Sequence, residues 1–363
     1  MSARCFVMAG GGTGGHVIPA IAVARELRKR GHESLFIGTH HGMESRLVPT
    51  AGFPIEWIEI GGFNRVGLKQ RLRTMVQLPI SVLRAATLLK QHKAAAVFSM
   101  GGYVAGPVMI AARYLKIPTV LMEPNVIPGM TNRRMAKYVT RALLSFEQAM
   151  HYFPAGCAEI TGLPVRTEFF ALPEKPREET LNVLITGGSR GSRTLNLAAQ
   201  AMWPKLAASR LNVRLIHQCG SEMIGTLSVG FQSTGLKGEV RIFIDDMPAA
   251  FAAADLVVCR SGAGAVSELA AAGKPSILVP FPFAADDHQL KNAEAMQHSG
   301  AARLVKDAEM TGERLFAEIK SMAENPAALH TMGKAARSHA HPGAATRAAD
   351  ILLSLAGEGL AKG

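Results

Sequence analysis

Short runs of consecutive apolar residues recur along this chain, separated by stretches in which apolar positions return at helical spacing. In the first half the runs fall at 4–9, 33–38, 55–60, 95–99, 118–122 and 140–145. In the second they fall at 181–186, 211–217, 239–244, 255–259, 276–280 and 302–305. Runs this short read as buried strands, and the stretches between most of them as helices. Strands alternating with helices predict an α/β fold of doubly wound parallel sheets, covered on both faces. The segment 162–182 breaks the rhythm with Pro164, Pro173, Pro176 and a run of charges, and reads as a linker between two domains. A length of 363 residues fits two domains, and an apolar share of 48% excludes a disordered chain.

Each half opens in the same way. The strand 4–9 runs into Gly10-Gly11-Gly12-Thr13-Gly14-Gly15-His16 and then a helix. The strand 181–186 runs into Gly187-Gly188-Ser189-Arg190-Gly191-Ser192-Arg193 and then a helix. The repetition predicts two Rossmann-like domains facing a cleft, with ligands at the carboxyl ends of the strands. A helix N-terminus with bare backbone N–H groups takes anions, and glycine lets a ligand approach the backbone closely. Gly10-x-Gly12-x-x-Gly15 has the spacing of a dinucleotide turn. However, the second strand ends Phe36-Ile37-Gly38-Thr39 without the acid a ribose would need, and the nearest, Glu33, is at its start. No GxxxxGK[ST] loop is present. Ser189 brings a hydroxyl to the second turn; without a ligand, the turn is simply a tight strand-to-helix connection.

His16 directly follows the first turn. The positive end of a helix favours the neutral imidazole, which can act as a general base; the plainer alternative is a capping or structural histidine. In the second half, Arg260-Ser261-Gly262-Ala263-Gly264-Ala265-Val266-Ser267-Glu268 follows a strand. Glu268, two turns into the helix, either accepts both hydroxyls of a ribose or faces solvent. Past the next strand, Asp286, Asp287, Gln289 and Asn292 suit sugar hydroxyls. His288 has no second histidine at metal-ligand spacing. Without an Asp-x-Asp anywhere, a nucleotide-sugar enzyme would stabilise its departing diphosphate with helix dipoles and basic residues.

Charge sharpens the division between the halves. The net charge is +12. Residues 1–165 hold 19 Lys/Arg against 8 Asp/Glu, and residues 166–363 hold 21 against 20. Nothing acidic lies between Glu59 and Glu123, while Arg65, Lys69, Arg71, Arg73, Arg84, Lys90, Lys93, Arg113 and Lys116 do. Apolar residues such as Leu72 and Met75 are interleaved with them. Such a segment suits an anionic bilayer surface; alternatively it is an amphipathic helix with a solvated basic side. An aromatic share of 6% and the lack of any nucleic-acid signature argue against nucleic acid as partner. The uncharged stretch 94–112 is broken by Gly101, Gly102, Gly106 and Pro107, so it reads as strand, turn and helix rather than a membrane span. The N-terminus lacks the features of a signal peptide. Four cysteines with no CxxC pair exclude a disulfide framework and fit a reducing cytoplasm.

Taken in order, Gly11-Gly12-Thr13-Gly14-Gly15-His16-Val17-x-Pro19, Met100-Gly101-Gly102-Tyr103, Gly162-x-Pro164-Val165-Arg166, Gly187-Gly188-Ser189, Phe243-Ile244-Asp245-Asp246-Met247, Arg260-Ser261-Gly262-Ala263 through Ser267-Glu268, and His288-Gln289-x-x-Asn292 closely resemble the glycosyltransferase family 28 of peptidoglycan N-acetylglucosaminyltransferases. The resemblance covers nearly the whole chain and implies a two-domain GT-B fold. It implies inverting, metal-independent transfer of N-acetylglucosamine from UDP-N-acetylglucosamine to the 4-hydroxyl of lipid I, MurNAc-(pentapeptide)-pyrophosphoryl-undecaprenol, giving lipid II without a cofactor. It further implies peripheral attachment to the cytoplasmic face of the plasma membrane, near a cell-wall synthesis and division complex.

By the same resemblance, residues 1–165 form the acceptor and membrane-binding domain, to which a C-terminal helix from about 345 to 363 returns, and residues 166–344 bind the donor. Ile244 would meet uracil through its backbone, Glu268 the ribose, and Ser189 with Ala263, Gly264, Ala265, Val266 and Ser267 the diphosphate. Arg166 would lie near the nucleotide and Gln289 at the sugar, with Thr13, Gly14, Gly15 and Asn125 contributed by the first domain. His16 would be the base, or else a ligand of the acceptor phosphates. The family pattern is departed from at Met122, Pro124, Leu163 and Arg190. Two rival readings are a sugar-nucleotide epimerase of related architecture and a basic binding protein without catalysis.

Overall fold

The apolar runs become the strands of two parallel sheets, each the core of a separate unit. The computed structural model describes residues 3–61, 68–173, 175 and 178–360, without the side chains of 68–73 and 358–360. Residues 1–165 with 343–363 form one unit, and residues 166–342 the other.

The first unit contains β1 (Cys5–Gly10), β2 (Glu33–Gly38), β3 (Ile55–Trp57), β4 (Ala94–Gly101), β5 (Thr119–Glu123), β6 (Arg141–Leu144) and β7 (Ala158–Ile160). Their order in the sheet is β3-β2-β1-β4-β5-β6-β7. Helices α1 (Gly14–Lys29), α2 (Glu44–Thr50), α3 (Leu68–Gln91), α4 (Gly102–Tyr114) and α5 (Met130–Met135) connect them. β1 lies inside the sheet and carries Phe6, Val7, Met8 and Ala9 with no exposed surface, as a strand covered on both faces requires. β7 is not marked by the apolar pattern. Its three residues alternate about Glu159, whose carboxylate points out to Arg347 at 2.6 Å.

The second unit contains β8 (Leu181–Thr186), β9 (Val213–Gln218), β10 (Lys237–Arg241), β11 (Leu256–Cys259), β12 (Ser276–Leu278) and β13 (Arg303–Leu304), ordered β10-β9-β8-β11-β12-β13. Its helices are α6 (Arg193–Ala208), α7 (Ile224–Gln232), α8 (Met247–Ala253), α9 (Ala263–Ala272), α10 (His288–His298), α11 (Gly312–Ala323) and α12 (Pro326–Ser338). A last helix, α13 (Ala344–Leu360), packs on α1 in the first unit. Ala348, Ala349 and Leu352 are buried there, and Arg30 pairs with Asp350 at 2.5 Å.

Two expectations are corrected. The apolar run 239–244 leaves the sheet at Arg241, and Ile242 and Phe243 are exposed. The proposed linker is partly anchored: Phe169 is fully buried, with its ring edge-on to Phe251 at 5.1 Å, and Lys175 holds Asp255 at 2.8 Å. Lys175 therefore serves packing as well as connection.

Candidate active site

In each sheet the chain reverses its winding beside the central strand, between β1 and β4 in the first unit and between β8 and β11 in the second. Such switch points open a crevice at the carboxyl ends of the strands. All four connections there are short and glycine-bearing. Gly10–Gly15 follows β1, Gly101-Gly102 joins β4 to α4, Gly187–Gly191 follows β8, and Gly262 begins α9. Gly12 and Gly188 occupy the same place in their turns, both at φ +87°. A side chain there would be strained.

In the first unit, Thr13 caps α1 and Gly14, Gly15 and His16 form its opening turn. Nδ1 of His16 lies 3.1 Å from the carbonyl of Gly11 and 3.4 Å from Oγ1 of Thr13. A carbonyl only accepts, so Nδ1 carries the proton and the lone pair is on Nε2. The turn itself is held by a residue that its sequence neighbourhood does not mark. Glu44 is fully buried and accepts the Gly12 N–H at 2.7 Å, with Thr39 N–H and Oγ1 donating at 3.0 and 2.9 Å.

Asn125 follows β5 and folds back: its backbone N–H and its Nδ2 both donate to Oε1 of Glu123. Asn132 and Gly129 donate to the other oxygen. Burial nevertheless pushes the Glu123 carboxyl up to about 7 from 4.5, against these donors. Between these values the native chain keeps a proton that the unfolded chain has lost, so stability falls as pH rises. The expected loss from this group between pH 4.5 and 7 is roughly 3 kcal/mol. Urea midpoints at pH 5 and 8 should show a shallower pH dependence in Glu123→Gln; an identical slope would refute the assignment.

In the second unit a cavity of about 710 Å³ is lined by Gly188, Ser192, Arg260, Ala265, Glu268 and Gln289, among others. Glu268 meets Arg166 at 3.4 Å. Burial raises its carboxyl above the usual range while Arg166 pulls it back. Ala263, Gly264 and Ala265 form the opening turn of α9, whose cap, Gly262, offers no side chain. Ser267 stands one turn on, whereas the Val266 side chain is buried. Ser189 is exposed in the turn after β8, but the residue that caps α6 is Ser192, accepting from Leu195 N–H. Gln289 accepts the Phe281 N–H through Oε1. Ile244 already donates its N–H to Gln218 at 2.8 Å, and Gln218 donates in turn to Thr186 and to the Gly188 carbonyl.

Arg260 and its partner Asp307 both line the cavity. The arginine is spent on the protein, through the carbonyls of Val279 and Pro280, Asp307 at 2.5 Å and Ser192 Oγ at 2.7 Å. Asp307 also accepts from Thr194. Gln218, Ser192 and Asp307 thus fix the three loops around the cavity.

Of the basic, apolar segment, Arg65 lies outside the described residues, as do the side chains of Lys69, Arg71, Leu72 and Arg73. Beyond them, Met75, Val76, Ile80 and Leu83 of α3 are more than half exposed, at 61, 68, 64 and 70%. Among the described residues no helix is long and apolar enough to cross a membrane.

Residues 6–144 match the glycosyltransferase family 28 N-terminal domain, and residues 182–350 the glycosyltransferase family 28 C-terminal domain. A protein of Solibacter usitatus (strain Ellin6076) named UDP-N-acetylglucosamine--N-acetylmuramyl-(pentapeptide) pyrophosphoryl-undecaprenol N-acetylglucosamine transferase is 59% identical over 355 residues, covering 98% of this chain and 97% of that one. The crystal structure of Acinetobacter baumannii MurG superposes with a TM-score of 0.81 at 33% identity, over 97% of this chain and 99% of that one. A UDP-GlcNAc 2-epimerase from Neisseria meningitidis reaches a TM-score of 0.66 at 13% identity, over 97% of this chain and 100% of that one, a likeness of fold alone. With both domain types matched in order and identity sustained along nearly its full length, the chain belongs to glycosyltransferase family 28.

Proposed function

We infer that the chain transfers N-acetylglucosamine from UDP-N-acetylglucosamine to lipid I, forming lipid II. The observation that carries this reading is 59% identity, over 98% of the chain, to a protein bearing the name of that transferase. The epimerase reading has only a shared fold behind it.

Residues 166–344 are the donor domain. Glu268 accepts the ribose hydroxyls beside Arg166, and the carbonyl of Ile244 meets uracil, its N–H being held by Gln218. The opening turn of α9 (Ala263 to Ala265) and the Ser189 turn take the diphosphate on backbone N–H groups, with the Ser267 hydroxyl beside them; the Val266 N–H is held by the Gly262 carbonyl at 3.0 Å. Gln289 reads the sugar. Residues 1–165 bind the acceptor, with Thr13, Gly14, Gly15 and Asn125 contributing to the substrate site. Nε2 of His16 removes the proton of the 4-hydroxyl. The oxygen attacks the anomeric carbon, the bond to the diphosphate breaks with inversion, and UDP leaves towards the helix termini. No step needs a metal or a cofactor, so EDTA should leave turnover unchanged.

The acid-free segment docks this domain on the anionic cytoplasmic face of the plasma membrane, through the apolar face of α3 and the charges around it. Each basic residue near such a surface contributes about 1 kcal/mol. Replacing Lys69, Arg71 and Arg73 together by Gln should weaken binding to anionic vesicles by about two orders of magnitude. UDP affinity should not move. Unchanged vesicle binding would return these charges to a merely solvated surface.

The deciding experiment offers radiolabelled UDP-N-acetylglucosamine with and without a lipid I analogue. Transfer of label to the lipid supports the reading, and conversion of the donor without acceptor supports an epimerase. Absence of any turnover would leave a binding protein.

A further inference from the structure

We propose that Glu44 is a positioning residue for His16, acting on it through a single peptide group, the one joining Gly11 to Gly12. This rests on the reading of His16 as the base. The N–H of that peptide (Gly12) donates to Oε2 of Glu44 at 2.7 Å. Its C=O (Gly11) lies 3.1 Å from Nδ1 of His16. In a trans peptide these two groups point in opposite directions, so the carboxylate and the imidazole sit at the two ends of one planar, polarisable unit. The arrangement does what a carboxylate bonded directly to histidine does elsewhere. It fixes which ring nitrogen holds the proton, orients the ring, and stabilises the imidazolium as the proton arrives.

The network around Glu44 has one consistent direction. An ionised carboxylate only accepts. Thr39 therefore gives both its N–H and its hydroxyl proton to Oε1, at 3.0 and 2.9 Å, and its oxygen accepts from Tyr103 at 3.2 Å. Gly12 gives its proton to Oε2, which draws electron density towards the Gly11 carbonyl and makes it a better acceptor for His16. Gly102 leaves room for this contact: a Cβ added there would stand 3.4 Å from Nδ1 of His16 and 3.3 Å from the Gly11 carbonyl, crowding both. Glu44 touches no substrate in this reading. Its buried position, 0% exposed, suits a fixed charge that acts at a distance of one peptide.

The test uses the full-length protein in the lipid I transfer assay. Glu44→Gln keeps the shape but removes the charge and turns one of the two accepting oxygens into a donor. It should lower kcat by ~10–100-fold, the cost found where a metal-bound histidine loses the partner of its other ring nitrogen. The KM for UDP-N-acetylglucosamine should stay within ~2-fold, because a lost orienting partner acts on the transition state and not on donor binding. The acid limb of the pH–rate profile should move to lower pH, since the imidazolium loses its support. In the His16→Ala background, Glu44→Gln should cost nothing further. An unmoved acid limb, or an equal loss with and without His16, would overturn the proposal while leaving His16 as the base. Wild-type turnover by His16→Ala would overturn the base reading and the relay together. Should Glu44→Gln fail to fold, nitrogen-15 NMR of histidine-labelled wild-type protein decides. The neutral His16 ring should carry its proton on Nδ1, and a proton on Nε2 would sink the relay.

Discussion

His16→Ala is expected to lower kcat by ~10²–10⁴-fold, the span a positioned general base supplies, with the KM for UDP-N-acetylglucosamine little changed. The argument is geometric. The Gly11 carbonyl can only accept from Nδ1, which puts the ring's lone pair on Nε2 at the opening turn of α1. The positive end of that helix disfavours an imidazolium at rest, so the ring is ready to take a proton. Steady-state kinetics also separates the two roles left open by the sequence. A base lost from the transition state lowers kcat, whereas a ligand lost from the acceptor phosphates raises the KM for the lipid with kcat preserved. The second pattern would move His16 from chemistry to binding.

Glu268→Ala is expected to cost ~10²–10⁴-fold in kcat/KM for the donor. Two hydroxyl donors on an ionised acceptor contribute ~1.5–3 kcal/mol each, and every 1.4 kcal/mol is about tenfold. The side chain is placed for this by its position on α9 and by Arg166 at 3.4 Å. Because burial raises its carboxyl above the ordinary carboxylate range, donor affinity should fall on acidification at a pH above that of a free glutamate. Protonation removes an acceptor, so the KM rises as the pH drops. A donor KM that is flat between pH 5 and 8 and insensitive to the substitution would place the ribose elsewhere.

Sheet topology was legible because buried parallel strands write themselves as continuous apolar runs: β2 and β8 fall where those runs fall, at 33–38 and 181–186. The site was legible where chemistry is local. The turns after β1 and β8 and the α9 segment are each contiguous stretches of small residues with one polar group. Hidden features have partners far apart in sequence. Glu44 is 32 residues from Gly12, Arg260 is 47 from Asp307 and 68 from Ser192, and Gln218 is 26 from Ile244. Nothing beside Glu44 or Arg260 in the sequence marks their partners. Only the fold reveals that the first is a buried acceptor and the second is already spent. An acid does reach the end of β2, but it is Glu44, which binds Thr39 and Gly12 of the protein itself.

Glu44 also has a consequence for how this sequence can drift. A methyl group added at Gly11, Gly38 or Gly42 would come within 2.5, 2.6 or 2.0 Å of the Glu44 side chain. Gly11 and Gly42 are thus kept small by one carboxylate, and Gly38 by its stem together with Ile55, whose Cδ1 would stand 2.9 Å away. An alanine at Gly11 or Gly42 fits only once residue 44 has shortened, which would also remove the support proposed for His16. In a library selected for folding these two substitutions should therefore appear together with a change at residue 44, and under selection for turnover they should be missing altogether.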